Sequence, residues 1–450
     1  MKTLFVSLGC DKNTVDTHRM VGALGGRGSY TLTDDETQAE IIVINTCAFI
    51  DAAKQESIEE ILSLARLKEN ANLKFLVVTG CLAQRYRDEI LRELPEVDAV
   101  IGTTAEGSLG EVLDALTAGQ APQKAVLADP DAPQDTQPQV LTLGCHVGYL
   151  KIAEGCDKCC TYCAIPLIRG HYRSVPMEQL IEEAKGLAAQ GVKELILVAQ
   201  ETTLYGTDLY GEKMLPELLR RLCLLQGIHW IRVLYCYPEE ITDELIAVMR
   251  EGGKILPYLD VPIQHCSDRI LQRMGRRTNR REIEEIIRKL RSAIPGICIR
   301  TTLITGFPGE TEEDHRELLD FVRRMQFDRL GVYTYSKEED TPAFDFKPQV
   351  HPSTKRRRQK ELMLAQQEIV FRRAAQMKGE ILEAVIDGRV ADACGVNGFV
   401  YVGRTCRDIP DVDSCIYIET RRDLMSGTFV KVRVTGSQDY DLTGELAEEE

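Results

Sequence analysis

Glu154-Gly155-Cys156-Asp157-Lys158-Cys159-Cys160-Thr161-Tyr162-Cys163 sets three thiols in a CxxxCxxC spacing directly after an apolar run, 149–153, that reads as a buried strand. Three thiolates this close in sequence can converge on one metal centre, and soft sulfur ligands select zinc, copper(I) or iron–sulfur. A structural zinc site takes a fourth protein ligand, whereas a [4Fe–4S] cluster held by three cysteines leaves one iron open to a substrate. Cys156, Cys160 and Cys163 are the assigned set. Cys159 supplies a rival CxxC spacing with Cys156, so zinc or a redox disulfide stays open on spacing alone.

Outward from this stretch, strand-like runs at 194–199, 231–235, 258–261, 298–304 and 330–335 alternate with helical patterns such as 177–190 and 280–293. This alternation predicts a partial α/β barrel over 141–370, with its chemistry at the C-terminal ends of the strands. Upstream, runs at 3–8, 41–46, 75–79 and 99–101 alternate with amphipathic stretches and predict a parallel-sheet domain over 1–120. Residues 121–140, rich in Pro, Ala, Asp and Gln, read as a linker. After a basic helical stretch, 355–378, short strands bounded by Gly turns predict a small β-barrel over 371–441. The fold class is therefore α/β in three parts.

The sequence of 450 residues suits two or three domains of roughly 100–200 residues each. No apolar run reaches the roughly 18–20 residues that a bilayer span needs, and 1–9 is too short for a secretory signal, so a soluble cytoplasmic protein without membrane partners is expected. A net charge of −15 argues against a chain whose main task is to wrap nucleic acid and suits a basic partner.

Fifteen cysteines in a long intracellular chain point to metal or catalysis rather than disulfides. Cys10, Cys47 and Cys81 each follow the C-terminal end of a predicted strand, and in a parallel sheet those ends share one edge. They form a second candidate set. Of the nine remaining, Cys145, Cys223, Cys236, Cys266, Cys298, Cys394, Cys406 and Cys415 read as small buried hydrophobes, and Cys159 has no clear place.

CxxxCxxC with an aromatic before the last cysteine resembles the signature of radical S-adenosylmethionine enzymes. The resemblance implies a [4Fe–4S] cluster on Cys156, Cys160 and Cys163 whose open iron binds S-adenosylmethionine, cleaved on reduction to a 5′-deoxyadenosyl radical. Tyr162 matches the aromatic beside the adenine. Together the two cysteine sets resemble the methylthiotransferase family across nearly the whole chain. That implies a second [4Fe–4S] cluster on Cys10, Cys47 and Cys81, a C-terminal TRAM barrel, an electron donor such as flavodoxin or ferredoxin, and a sulfur source.

Thr305-Gly306-Phe307-Pro308-Gly309-Glu310-Thr311 resembles the family's adenine-contacting segment, with backbone at Gly306 and Gly309 making the contact and Thr311 capping the next helix. Gln200, Glu201 and Gln264 follow predicted strands and are candidate side-chain contacts for the cofactor; His265 reads as structural. The basic run 355–360 reads as a solvated helix face rather than an RNA-binding patch.

Members of this family modify either a tRNA adenosine or an aspartate of a ribosomal protein. Ser7 to Asn13 with Val15-Asp16, His171 to Ser174, Tyr237 to Thr242 and Pro257 to His265 resemble the second branch, which acts on protein twelve of the small subunit. Residues 375–450 hold eight Lys and Arg against fifteen Asp and Glu, so the barrel is expected to repel tRNA and attract a basic protein. Asp11 stands where this branch usually has Pro, and His18 where it usually has an acid.

Overall fold

The computed structural model describes residues 1–120, 125–132, 137–141, 145–395 and 398–447. In the N-terminal domain, β1 (Lys2–Ser7), β2 (Thr31–Leu32), β3 (Ile41–Thr46), β4 (Phe75–Gly80), β5 (Ala99–Ile101) and β6 (Ala125–Val126) pair in parallel in the order β2-β1-β3-β4-β5-β6. β3 is buried at every position, as a strand covered on both faces must be. Its alternate residues feed two cores, Ile42 and Ile44 on one face and Ile41 and Val43 on the other.

β6 lies inside the stretch read as a linker. Ala125 and Val126 pair with Val100 and Ile101, and Gln139 is buried, its Nε2 donating to the Tyr149 carbonyl (2.9 Å) and to Glu183 (2.6 Å). A Pro- and Asp-rich composition does not stop a two-residue apolar step from completing a sheet edge. Residues 121–124 and 133–136 of that expected linker, and the side chain of Cys394, lie outside what the structure describes.

The central domain comprises β7 (Val147–Lys151), β8 (Ala153–Glu154), β9 (Arg173–Ser174), β10 (Glu194–Val198), β11 (Trp230–Val233), β12 (Ile255–Asp260), β13 (Cys298–Thr305) and β14 (Arg329–Thr334). Six of them form one parallel sheet, β14-β13-β12-β11-β10-β7, which stays open between β14 and β7. β8 and β9 form a separate antiparallel pair. Helices cover one face, and the helix Pro352–Gln376 adds Leu362 and Ile369 to that core. The opposite face meets both neighbouring domains: Val15 from the N-terminal domain and Val385 and Ile409 from the C-terminal one pack with Ile196, Val198, Trp230 and Tyr258.

β15 (Ile381–Gly395), β16 (Gly398–Thr405), β17 (Ile416–Thr420), β18 (Phe429–Gln438) and β19 (Asp441–Leu446) close a barrel in the order β15-β16-β17-β19-β18. It docks at the N-terminal ends of the central strands. Glu194, the first residue of β10, is fully buried between Arg232 (2.8 Å) and Arg404 of the barrel (2.6 Å); Trp230, the first of β11, meets Phe429 edge to face and donates to Glu383.

That docking takes two acids of the barrel out of its surface charge. Asp408 and Asp413 are sealed against the central domain, on Arg329 and on Tyr258 and Arg300. Among the described residues of 379–447, six acids and five bases are exposed, and Asp408 and Asp413 neutralise arginines of the central domain; the side chain of Asp392 and residues 448–450, four further acids of the expected excess, lie outside what the structure describes. Among the described residues no helix is long and apolar enough to cross a membrane.

Candidate functional site

The three N-terminal cysteines meet on the C-terminal edge of their sheet. Cys10 caps the helix Asp11–Gly25, Cys47 follows β3, and Cys81 opens the helix Cys81–Arg85. Gly80 before Cys81 has a φ of +91°, and a Cβ there would lie 2.3 Å from Asn45 Oδ1, so only glycine lets β4 turn so tightly against β3. Asn13 fixes the edge, its Nδ2 donating to the carbonyls of Leu8 (2.8 Å) and Thr46 (3.0 Å). Burial pushes the Cys47 thiol up to about 12, with Cys81 and Cys10 adding to the rise; burial also raises Cys81, against the pull of Arg169. Each sulfur therefore feels the others.

The central cysteines sit beyond β8. Gly155 (φ +78°) brings the backbone so close to the neighbouring strand that a Cβ would lie 2.0 Å from the His171 carbonyl oxygen, and Cys156 N–H donates to Gly170 O (3.1 Å). Cys156 and Cys160 are buried and Cys163 half-buried, while Cys159 has a φ of +55° and is exposed. The backbone thus turns the rival cysteine out to solvent. Burial raises Cys156 to about 11, with Cys160 contributing, and raises Cys163 further, with Cys160 and Cys156 contributing.

Among the described residues no three His, Cys, Asp or Glu gather closely enough for a single metal ion. A cubane spreads its three thiolates over three separate irons and asks for no such triad. Thiols this reluctant to ionise in a dry site become thiolates when a metal takes the proton's place, so both sets fit a cluster chemically.

One segment joins the two sets. Tyr235 OH donates to Asp11, beside Cys10 (3.1 Å), and Tyr237 OH lies 3.9 Å from Cys160 Sγ. Behind it a buried ionic network runs from Cys81 to Glu154: Arg169 reaches Cys81 Sγ (3.6 Å), Asn13 (2.7 Å), Asp16 (2.8 Å) and Glu154 (3.0 Å), and Lys151 bridges Asp16 and Glu154.

The expected cofactor contacts divide. Tyr162 packs edge to face with Phe307 at 6.4 Å, joining the CxxxCxxC loop to the 305–311 segment. Gln200 donates to Glu154 (2.6 Å), Glu201 accepts from Thr203 N–H (3.0 Å), and each keeps one buried oxygen without a partner among the described residues, as does Gln264. Burial holds the Glu201 carboxyl at about 7. At the two glycines the N–H groups are already engaged, Gly306 by the Glu310 carboxylate and Gly309 by the Pro348 carbonyl (2.8 Å), so neither is left for a ligand. Thr311 caps its helix in a reciprocal pair with Asp314.

The basic run is no solvated face throughout: Arg358 is buried on Glu310 (3.0 Å), and Arg357 pairs with Glu312. Arg276 was not foreseen. It stacks on Tyr237 (4.1 Å), its Nε and Nη1 are buried without partners among the described residues, and it suits the carboxylate of an amino acid cofactor. Its only trace in the sequence is one arginine of the pair 276–277.

Comparison with known proteins agrees with this layout. Residues 2–102 match the uncharacterised protein family UPF0004, 150–322 the radical SAM superfamily and 379–447 the TRAM domain. The fold resembles TsrM, a radical S-adenosylmethionine methyltransferase from Kitasatospora setae, with a TM-score of 0.57 at 15% identity over 76% of this chain and 73% of that one. The ribosomal protein uS12 methylthiotransferase RimO of Lachnoclostridium phytofermentans is 56% identical over 99% of both chains, and that of Acetivibrio thermocellus 46% identical over 100% of this chain and 99% of its own. At that identity and coverage, the chain belongs to the RimO family of ribosomal protein uS12 methylthiotransferases.

Proposed function

We propose that this protein inserts a methylthio group at the β-carbon of an aspartate in ribosomal protein uS12, with one [4Fe–4S] cluster on Cys10, Cys47 and Cys81 and another on Cys156, Cys160 and Cys163. The observation that carries the reading is the segment 234–237, whose Tyr235 and Tyr237 reach residues beside Cys10 and at Cys160. When bound, the clusters and S-adenosylmethionine supply one-electron cleavage, hydrogen abstraction and sulfur delivery.

The chain's own residues hold and orient. Arg276 offers two N–H groups to the cofactor carboxylate, Glu201 and Gln200 offer oxygens to its ammonium, and Tyr162 and Phe307 wall the adenine side. Arg169 donates to the Cys81 sulfur and so supports negative charge there. Electrons come from a donor such as flavodoxin or ferredoxin and sulfur from an external source, in the cytoplasm where ribosomal proteins are made.

The test is anaerobic reconstitution followed by mass spectrometry of uS12 and of tRNA incubated with S-adenosylmethionine and reductant. A methylthio mass gain on an aspartate of uS12 is expected. Gain on tRNA alone overturns the substrate, and protein that takes up zinc but no iron overturns the chemistry.

A further inference from the structure

Lys12 is the second residue of the helix Asp11–Gly25 and stands two residues beyond Cys10. It is 7% exposed, and among the described residues its ammonium makes no ion pair and no hydrogen bond. Its Nζ lies over the ring of Tyr235, 3.3 Å from the centroid. By contrast Arg19, Lys151, Lys158 and Arg169, the other buried cations of this region that have acids in reach, all pair with them.

A cation set in a largely apolar cleft without a carboxylate is disfavoured even though Nζ is not wholly enclosed and keeps a path to solvent. Its place in the first turn of a helix adds to the cost, because the helix dipole there is already positive. The aromatic face offsets part of this. That face is itself held, by the hydrogen bond from Tyr235 OH to Asp11 and by the one from Tyr235 N–H to Asp260 (3.2 Å), in a backbone with a φ of +60°. So the chain holds an ammonium, paired with no acid among the described residues, at a fixed point against the segment that continues to Tyr237 and Cys160.

We infer that Lys12 is the binding site for the side-chain carboxylate of the substrate aspartate. The inference rests on the substrate reading above. In an aspartyl residue the reacting β-carbon is bonded directly to the carboxylate, so one ammonium holding that group fixes the position of the carbon between the two cysteine sets. The incoming carboxylate is a counter-charge that no acid among the described residues supplies. An asparagine in its place brings the shape without the charge and leaves the ammonium unmatched.

The experiment measures steady-state methylthiolation of uS12, and of uS12 with the target Asp changed to Asn, by reconstituted parent, Lys12→Met and Lys12→Arg proteins of equal iron and sulfide content. The parent loses roughly tenfold or more in kcat/KM on the Asn substrate. Lys12→Met raises KM for the Asp substrate on the order of 30-fold and brings the Asp/Asn ratio close to one, while Lys12→Arg keeps most of the discrimination. A parent that accepts Asn as readily as Asp overturns the carboxylate site without any mutation of the enzyme. A Lys12→Met protein with unchanged KM and unchanged Asp/Asn ratio sinks it alone, leaving the substrate standing. A parent that leaves uS12 unmodified overturns the substrate and the site together.

Discussion

Nη2 of Arg169 lies 3.6 Å from the sulfur of Cys81, while its Nη1 lies 3.0 Å from the carboxylate of Glu154, two residues before Cys156. Lys151 and Asp16 complete the network, and all four charged side chains are at most 3% exposed. Removing one cation from such a group leaves Asp16 and Glu154 under-compensated in a dry interior, a loss of roughly 3–5 kcal/mol. Arg169→Met should therefore lower the melting temperature of the apo-protein clearly, and Arg169→Lys by less. A melt of Arg169→Met that overlays the parent would show that the network contributes no stability.

Replacing Cys156, Cys160 and Cys163 together by Ala should abolish cleavage of S-adenosylmethionine and leave about four irons per chain, one cubane. The reason is that the N-terminal set is built on β1, β3 and β4 of its own sheet. The complementary change at Cys10, Cys47 and Cys81 should also leave about four irons, and should stop methylthio transfer. Iron and sulfide analysis of folded variants decides this, and near-complete iron loss in either would contradict independent sites.

Much of this site was legible because its signal is local. The IIVINT run could only be a buried parallel strand, and Cys10, Cys47 and Cys81 could be grouped because each ends a strand of one sheet. The ambiguity of Cys159 was not legible, since it is resolved by a backbone turn with positive φ. Arg169 and Arg276 carry no pattern of their own, and Lys12 stands in the quoted stretch Ser7 to Asn13 without a role to mark it; what singles the three out is burial and the presence or absence of a partner, which only tertiary packing creates. The same holds for Asp408 and Asp413, which composition counts as surface charge and the fold places in an interface.

Glu201 gives the site a pH dependence. Burial, opposed by the Thr203 hydroxyl, holds its carboxyl at about 7. A carboxyl raised above its ordinary value favours the neutral form in the fold, so its ionisation lowers apo-protein stability as pH rises from about 4.3 towards that value and no further. The ammonium of S-adenosylmethionine requires the ionised form. Affinity for S-adenosylmethionine should therefore rise between pH 6 and pH 8 by roughly the change in ionised fraction, and Glu201→Gln should bind more weakly with a flatter profile. Calorimetric titration at three pH values checks it, and an equal slope in the variant would remove Glu201 from the ammonium site.

The C-terminal barrel offers the sharpest separation between surface charge and structural charge. Asp408 accepts from Thr405 N–H (3.1 Å) and pairs with Arg329, and Asp413 accepts from Tyr258 OH (2.7 Å) and from Ile409 N–H (3.1 Å), so both hold the loop 405–413 against the central domain. Asp411, in the same loop, is exposed. Reversing Asp411 to Lys, at an exposed site with a φ of +59°, should cost about 1 kcal/mol or less, whereas Asp408→Lys or Asp413→Lys sets a buried cation beside Arg329 or Arg300 and should cost several times that. Because the charge lies at the domain contact, the loss should appear first as loosened docking, read as faster proteolytic cleavage before β15, with the barrel itself still folded. Were the acids of this loop a docking field for a basic partner, Asp411→Lys would slow modification of uS12 most at low salt and the other two would act no differently. The structure predicts the reverse order: little effect from Asp411→Lys at any salt, and a large, salt-insensitive effect from Asp408→Lys and Asp413→Lys.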